Sequence, residues 1–496
     1  MTIPSSRRAF VLGALALGLP VRAIAQGAPG GLPEILGPRF GAQPNHTERR
    51  PRRRRGAGVR ERLHHWNEIA VDASGLDHTP PPPGDPRVFA EQVGPGRSSR
   101  AMAIVHIAVF DAMNAIAGGH QSYTGLRAAP IDTSVEAAIA LAAHDTLVAL
   151  FPAQTTAIHE ELVADLGTIP DGRAKVDGIR LGRSAAHAIL ARRANDGARH
   201  PEPKVGIDFI TSDTPGKWQQ DPISLHPLAL GAHWGEVEPF VLRSSDQFRV
   251  PPPPDLQSRE YTAAYNEVKS LGGDGVVTPT VRTDDQTFAG IYWAYDGMPS
   301  LCAPPRLYNQ IAIRIAEQRR TGPVELARLL ALLHVAMADA GIAIWESKYH
   351  YEFWRPVTGI RAPDRNPRTA HDRTYSPLGA PASNVIGPNF TPPFPAYPSG
   401  HAGFGGALFQ ILRHFYGTDR IPFTFVSDEL NGETLDNEGH VRPLMPRSFS
   451  SLSEAEEENG QSRIYLGIHW AFDKTEGIAQ GRRVADYVFR HAFARR

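Results

Sequence analysis

Toward its C-terminal end the chain reads "FTPPFPAYPSGHAGFGGALFQIL", and within it Ser399-Gly400-His401 follows a run of prolines and opens an apolar, helix-like stretch. Proline, serine and glycine are ordinary helix starters, which is the plainest account of the run. The histidine adds chemistry. A hydroxyl, an unhindered backbone N–H and a titratable imidazole at a helix N-terminus make an anion site with its own proton carrier.

Two further segments carry matching residues. In "WESKYHYEFWRPVTGIR", Lys348 and Arg355 are seven residues apart. On one continuous helix that is two turns, so both share a face about 10 Å apart along the axis, and Pro356 ends the helix. Trp345, Tyr349, Phe353 and Trp354 around them argue against a solvated face. In "NGQSRIYLGIHWAFDKTEG", Arg463 and His469 are six apart and fall on different faces of an ideal helix. Arg463 is therefore expected just before the helix, or Gly467 at a bend. His469 and Asp473 are four apart, so the carboxylate can take the second imidazole N–H and fix the tautomer.

If these segments meet, Lys348, Arg355 and Arg463 put three cations in one aromatic-walled place, a destabilising arrangement without a counter-charge. A tetrahedral or trigonal oxyanion relieves it, held by two guanidiniums, one ammonium, the Ser399 hydroxyl and the Gly400 amide. Two histidines remain for chemistry. One can attack or coordinate the central atom while the other moves protons.

The set K-x6-R-P, P-S-G-H and S-R-x5-H-x3-D resembles the three-part signature shared by vanadium haloperoxidases and type 2 acid phosphatases. It stands here as Lys348…Arg355-Pro356, Pro398-Ser399-Gly400-His401 and Ser462-Arg463…His469…Asp473. The flanking "PPRLYNQ", "PLGAPASN", "ELNG" and "SRIYLGIHWAFD" resemble the vanadium chloroperoxidase branch, strongly between Tyr292 and Asp473 and only generally in the N-terminal helices. The resemblance implies a vanadate cofactor bound axially by His469. Its oxygens would accept hydrogen bonds from Lys348, Arg355, Ser399, Gly400 and Arg463. His401 would be the acid–base group, Asp296 would orient Arg463, and Trp345 and Phe394 would frame a halide site. Hydrogen peroxide and halide ions are the implied partners, with an organic acceptor as an optional third. Phe394 stands five residues before Ser399, where bromide-preferring relatives tend to carry histidine, so chloride and bromide are both expected substrates.

Vanadate has the shape and charge of phosphate but readily accepts a fifth ligand, so a pocket complementary to a phosphoryl transition state can hold it as a resident. One histidine nitrogen among oxygens also suits a high-valent oxo-metal. The same residues fit an acid phosphatase working through a phosphohistidine at His469. They also fit a non-catalytic anion binder. The Trp345–Phe394 context favours the peroxidase, and the presence of His401 disfavours the binder.

The elements that must position these residues read as mostly α, in two packed helical bundles joined by long Pro/Gly-rich loops. The chain has 496 residues, with 44 prolines and 46 glycines. Helical periodicity runs through "SSRAMAIVHIAVFDAMNAIAG" and three later segments to about residue 200, and resumes at "DLQSREYTAAYNEVKSLG". We expect an N-terminal lobe over 61–256 and a catalytic lobe over 257–496. His106 and His144 lie among alanines and aliphatics and read as packed histidines. The acidic run "SEAEEENG" reads as a solvated helix face.

The first residues, "SSRRAFVLGALALGLPVRAIAQ", have Arg7-Arg8, a bulky Phe10, an apolar run and Ala23-Ile24-Ala25. That layout predicts a Tat signal peptide over 1–25, hence the Tat export machinery as a partner and a periplasmic or secreted protein. Residues 26–60, with "RRPRRRRG", read as a disordered, solvated arm. Lys+Arg and Asp+Glu balance at 52 each, so nothing points to nucleic acid. No later stretch is expected to span a membrane. Cys302 is the only cysteine, which excludes an internal disulfide and cysteine-built metal sites.

Overall fold

A computed structural model of the chain describes residues 31–46, 58–82, 84–85 and 87–496. The signal peptide expected over 1–25 and the arginine run at 49–56 lie outside the described residues. Fourteen α-helices are found among the described residues. They are α1 (Leu32–Ile35), α2 (Val59–Asp77), α3 (Gly94–Ala117), α4 (Val135–Leu150), α5 (Thr155–Leu166), α6 (Arg173–Arg192) and α7 (Arg259–Leu271). There follow α8 (Asp284–Tyr292), α9 (Pro304–Gln318), α10 (Pro323–Tyr351), α11 (Pro356–Arg361), α12 (Gly400–Tyr416), α13 (Leu452–Tyr465) and α14 (Ala471–His491). The described strands form two antiparallel pairs, β1 (Gly41–Ala42) with β2 (Val385–Ile386) and β3 (Phe423–Phe425) with β4 (Arg447–Phe449).

Helices α2 to α6 pack into one bundle, and α12, α13 and α14 form the heart of a second. Helix α10 belongs to both, lying against α3 on one side and α12 and α14 on the other. Its sequence explains this. Pro323 and Glu325 open the helix, and almost every residue from Leu326 to Lys348 is buried, as a helix that is apolar all round must be. Helices α12 and α14 approach closely, because a Cβ at Gly481 would overlap the Gly403 carbonyl. The apolar cores of the two bundles are therefore continuous from Leu32 to Phe493. A smaller aromatic cluster around Tyr261, Trp354 and Trp470 sits beside them.

Two expectations need correction. Helices Gly94–Ala117 and Pro323–Tyr351 are long and apolar enough to cross a membrane, although no such stretch was expected. Their apolar windows are 89% and 100% buried against neighbouring helices, so the apolarity goes into the core that joins the bundles. The second correction concerns residues 31–46, read as part of a solvated arm. Leu32, Leu36 and Phe40 are buried, β1 pairs with β2, and Phe40 meets Phe390 edge to face at 6.0 Å. Three apolar anchors spaced four apart outweigh the Pro/Gly-rich composition around them. Phe40→Ala should therefore lower stability to denaturant by about 3 kcal/mol; an unchanged midpoint would mean the segment is not part of the core.

Candidate active site

The two cations of the first motif do not share a helix face. Lys348 lies in the last turn of α10, which stops at Tyr351 because Glu352 turns into the left-handed region at φ 52°. Arg355 is extended, as a residue before proline must be, and caps α11. The side chains converge because the chain reverses between them, with Trp354 N–H bonded to the Gly216 carbonyl at 2.9 Å.

The proline-rich stretch supplies what holds them. Arg355 Nε donates to the Phe394 carbonyl at 2.9 Å. Lys348 Nζ donates to the next two carbonyls, Pro395 at 2.7 Å and Ala396 at 2.9 Å. Proline keeps this chain extended and brings no N–H of its own to compete for those oxygens. The stretch ends at Ser399, whose Oγ accepts the Ala402 N–H at 3.4 Å and caps α12. Gly400 then lies against Trp345, whose ring would be 3.3 Å from a Cβ there.

Arg463 sits in the last turn of α13, and Gly467 at φ 73° breaks the chain before α14. This is the bend allowed for in the sequence. His469 precedes α14, and its Nδ1–H donates to Asp473 Oδ2 at 2.7 Å. Its Nε2 accepts from Arg355 Nη1 at 2.9 Å, so the lone pair on Nε2 faces the cations. Arg463 Nη2 donates to Asp296 Oδ1 at 2.6 Å. His401 presents Nε2 to the Ala294 carbonyl, 3.7 Å from Asp296 Oδ1. A carbonyl only accepts, so His401 carries its proton on Nε2 and leaves the Nδ1 lone pair free.

All three motifs thus meet, with Asp296 beside them. Lys348, Arg355, Ser399 and Arg463 are at most 1% exposed. Arg355 Nη2 and Arg463 Nε and Nη1 have no partner, although buried. Burial, then Arg355, pushes the Lys348 ammonium well below its usual range. Burial pushes Arg355 down to about 9 and both His401 and His469 well below the usual imidazole value, with the neighbouring cations adding to the effect on the histidines. Burial pushes Asp473 up to about 7. The pocket is short of negative charge. Besides Asp296 Oδ2 and Asp473 Oδ1, its unpartnered groups are guanidinium donors, and with the His469 Nε2 lone pair, which Arg355 Nη1 meets, they fit a vanadate ion bound through one nitrogen and many hydrogen bonds. Among the described residues no group of three or more His, Cys, Asp or Glu could hold a bare metal ion.

Trp345 and Phe394 stand 4.9 Å apart at 59°, with Lys348 Nζ 5.1 Å from the Phe394 ring centre. They line a cleft of about 700 Å³, partly open to solvent, that also takes in His401, Arg463 and His469 and has apolar walls including Ile35, Leu36, Leu228 and Pro393. His226, buried and pushed down to about 3 by burial, also lines it. Sequence reasoning missed these wall residues and the Ala294 carbonyl. The carbonyl carries no side-chain signal, and the walls come from segments far apart in the chain.

Comparison with known proteins shows the family. The family model for the VCPO second helical-bundle domain matches residues 328–495. The vanadium chloroperoxidase of Curvularia inaequalis is 31% identical over 488 residues, covering 82% of this chain and 78% of that protein. The chain belongs to the vanadium haloperoxidase family. The fold also matches crystal structures of a bacterial vanadium-dependent iodoperoxidase (TM-score 0.69, 23% identity, 88% of this chain and 98% of that one) and of a holo-form bacterial vanadium-dependent chloroperoxidase (TM-score 0.60, 18% identity, 79% and 91%).

The charge imbalance gives a direct test. Orthovanadate at a hundred times its Kd should stabilise the protein by about 2.7 kcal/mol, read as a rise in Tm. Lys348→Met should leave the anion-free protein folded while weakening vanadate binding about a hundredfold. Loss of stability in the anion-free variant with vanadate affinity intact would show that the ammonium serves packing instead.

Proposed function

We propose that this chain is a vanadate-dependent haloperoxidase that uses hydrogen peroxide to oxidise chloride and bromide to hypohalous acid, with an organic acceptor as an optional third partner. The observation that carries the reading is the buried excess of cations, with unpartnered guanidinium N–H groups, around the unprotonated Nε2 of His469. His469 would hold the vanadium. Lys348, Arg355, Ser399, Gly400 and Arg463 would hold the oxygens. Bound vanadate supplies a Lewis-acidic centre that makes hydrogen peroxide electrophilic toward halide without changing its own oxidation state.

The protein's own groups do the rest. Asp473 fixes the His469 tautomer and keeps Nε2 unprotonated as a ligand. Asp296 aims Arg463. His401, neutral with Nδ1 bare, accepts a proton from the incoming peroxide and later returns one to the leaving oxygen. The three cations draw electron density from the reacting oxygens and need no rearrangement to do so. The overall balance is peroxide, halide and one proton to hypohalous acid and water. Trp345 and Phe394 offer an anion a dry aromatic wall beside the Lys348 ammonium. Phe394 gives halide no hydrogen bond, which supports chloride as a substrate beside bromide.

Loaded with orthovanadate, the protein should halogenate a dione with peroxide and either halide, and the vanadate-free half of the same preparation should not. Phosphate-monoester hydrolysis by the vanadate-free form, without halogenation by the loaded one, would instead assign the phosphatase chemistry. His401→Ala should lose about a hundredfold or more in chloride oxidation yet still bind vanadate, whereas His469→Ala should lose both. Equal loss of vanadate in the two variants would overturn the division of roles.

The Arg7-Arg8 leader supports Tat export to the periplasm or beyond. Replacing both arginines by lysine should trap the precursor in the cytoplasm; undiminished export would rule that route out.

A further inference from the structure

The "ELNG" run plays no part in the mechanism above, yet its glutamate is fully buried and lies directly behind the site. The turn Ala294-Tyr295-Asp296 faces the reacting groups with two elements. The Ala294 carbonyl receives His401 Nε2–H, and Asp296 Oδ1 receives Arg463 Nη2–H. Between them Tyr295 adopts φ 48°, a left-handed conformation that a non-glycine residue keeps only where its surroundings over-determine it.

Those surroundings come from residues 427–429. Ser427 Oγ donates to the Tyr292 carbonyl at 2.7 Å, and Asp428 N–H donates to the Tyr295 hydroxyl oxygen at 2.7 Å. Glu429 Oε1 accepts the Tyr295 N–H at 3.3 Å. The other oxygen, Oε2, accepts from Ser383 Oγ at 2.7 Å and from Arg442 Nη1. Arg442 Nη1 also donates to Ser383 Oγ at 2.8 Å. Every group hydrogen-bonded to the Glu429 side chain is therefore a donor, which suits a carboxylate, although burial and the nearby Asp296 carboxylate push its pKa up against Arg442.

We propose that Glu429, anchored by Arg442 and Ser383, is a positioning residue for the reaction: through the Tyr295 N–H it sets the 294–296 turn, and so fixes both the proton on His401 Nε2 and the aim of Arg463. The inference rests on the reading of His401 as the acid–base group. Glutamine at 429 exposes the logic. Its amide oxygen must satisfy Arg442 and Ser383, which turns its NH2 toward the Tyr295 N–H, donor against donor. The turn shifts, and the Ala294 carbonyl leaves its place opposite His401.

The test uses full-length protein labelled with 15N-histidine and free of vanadate, with the His401 resonances assigned by their loss in His401→Gln. Wild type should show Nε2 protonated and Nδ1 bare. Glu429→Gln should show a mixture of tautomers, together with a rise in vanadate Kd and a fall in kcat of about tenfold each. Glu456→Gln is the control, because Glu456 is an equally buried carboxylate, bonded to Arg413 and Arg482 away from the site. It should leave the tautomer, Kd and kcat unchanged whatever it does to Tm. If Glu429→Gln does not fold, Ser383→Ala decides, with smaller changes in the same direction. A wild-type His401 pattern with vanadate Kd within about twofold of wild type overturns the inference. Because the tautomer is read without vanadate, it decides the inference even if halogenation fails, so the two failures are told apart.

Discussion

Three cations held out of water with too little opposing charge set the terms for the rest of this protein. Each buried ion costs several kcal/mol of lost hydration, so Lys348, Arg355 and Arg463 need a large, rigid and otherwise satisfied surround. The continuous core provides it. Helix α10 carries Lys348 at the end of a wholly buried run, pinned between α3 and the pair α12 and α14. The aromatic cluster of Tyr261, Trp354 and Trp470 backs the loop that carries Arg355, and Trp470 Nε1 donates to the Trp354 carbonyl at 2.9 Å. Such a surround keeps the cations where an anion meets them without reorganisation, which is what makes the cost useful.

The cations are steadied by carbonyl dipoles more than by carboxylates. Phe394, Pro395 and Ala396 direct successive carbonyls at Arg355 and Lys348, and Ile468 adds a fourth for Arg355 at 2.8 Å. A carbonyl orients a cation without neutralising it, so the pull on an oxyanion survives. A carboxylate in each place would hold the side chains as well but cancel the charge. Asp296 and Asp473 are the exceptions. Asp296 contacts a guanidinium edge, and Asp473 works through His469.

Much of this was legible in the sequence. The apolar repeats of α3, α4, α10 and α12 mark long helices, Gly417 caps α12 at φ 69° as its position suggests, and the spacing of His469 and Asp473 gives their hydrogen bond. The rest depended on contacts that no local pattern encodes. The shared face of Lys348 and Arg355 assumed an unbroken helix, and Glu352 breaks it. Residues 31–46 look polar and loose until Leu36 and Phe40 meet loops from more than a hundred residues away. The acidic run before Ser462 looks solvated, yet Glu456 is 1% exposed and takes hydrogen bonds from Arg413 on α12 and Arg482 on α14.

The two histidines show how partners assign roles to identical side chains. His469 has a carboxylate on Nδ1, which accepts its N–H and leaves Nε2 unprotonated and electron-rich, as a ligand requires, with Arg355 Nη1 donating to it. His401 has a neutral carbonyl on Nε2, which fixes the proton there without adding charge. Its imidazole stays a weaker donor of electrons, and Nδ1 stays free to take and return a proton. The His401 tautomer therefore depends on a backbone partner, and a backbone carbonyl can be aimed only by holding the turn that carries it. That requirement gives a physical reason for the left-handed Tyr295 and the buried Glu429 behind it.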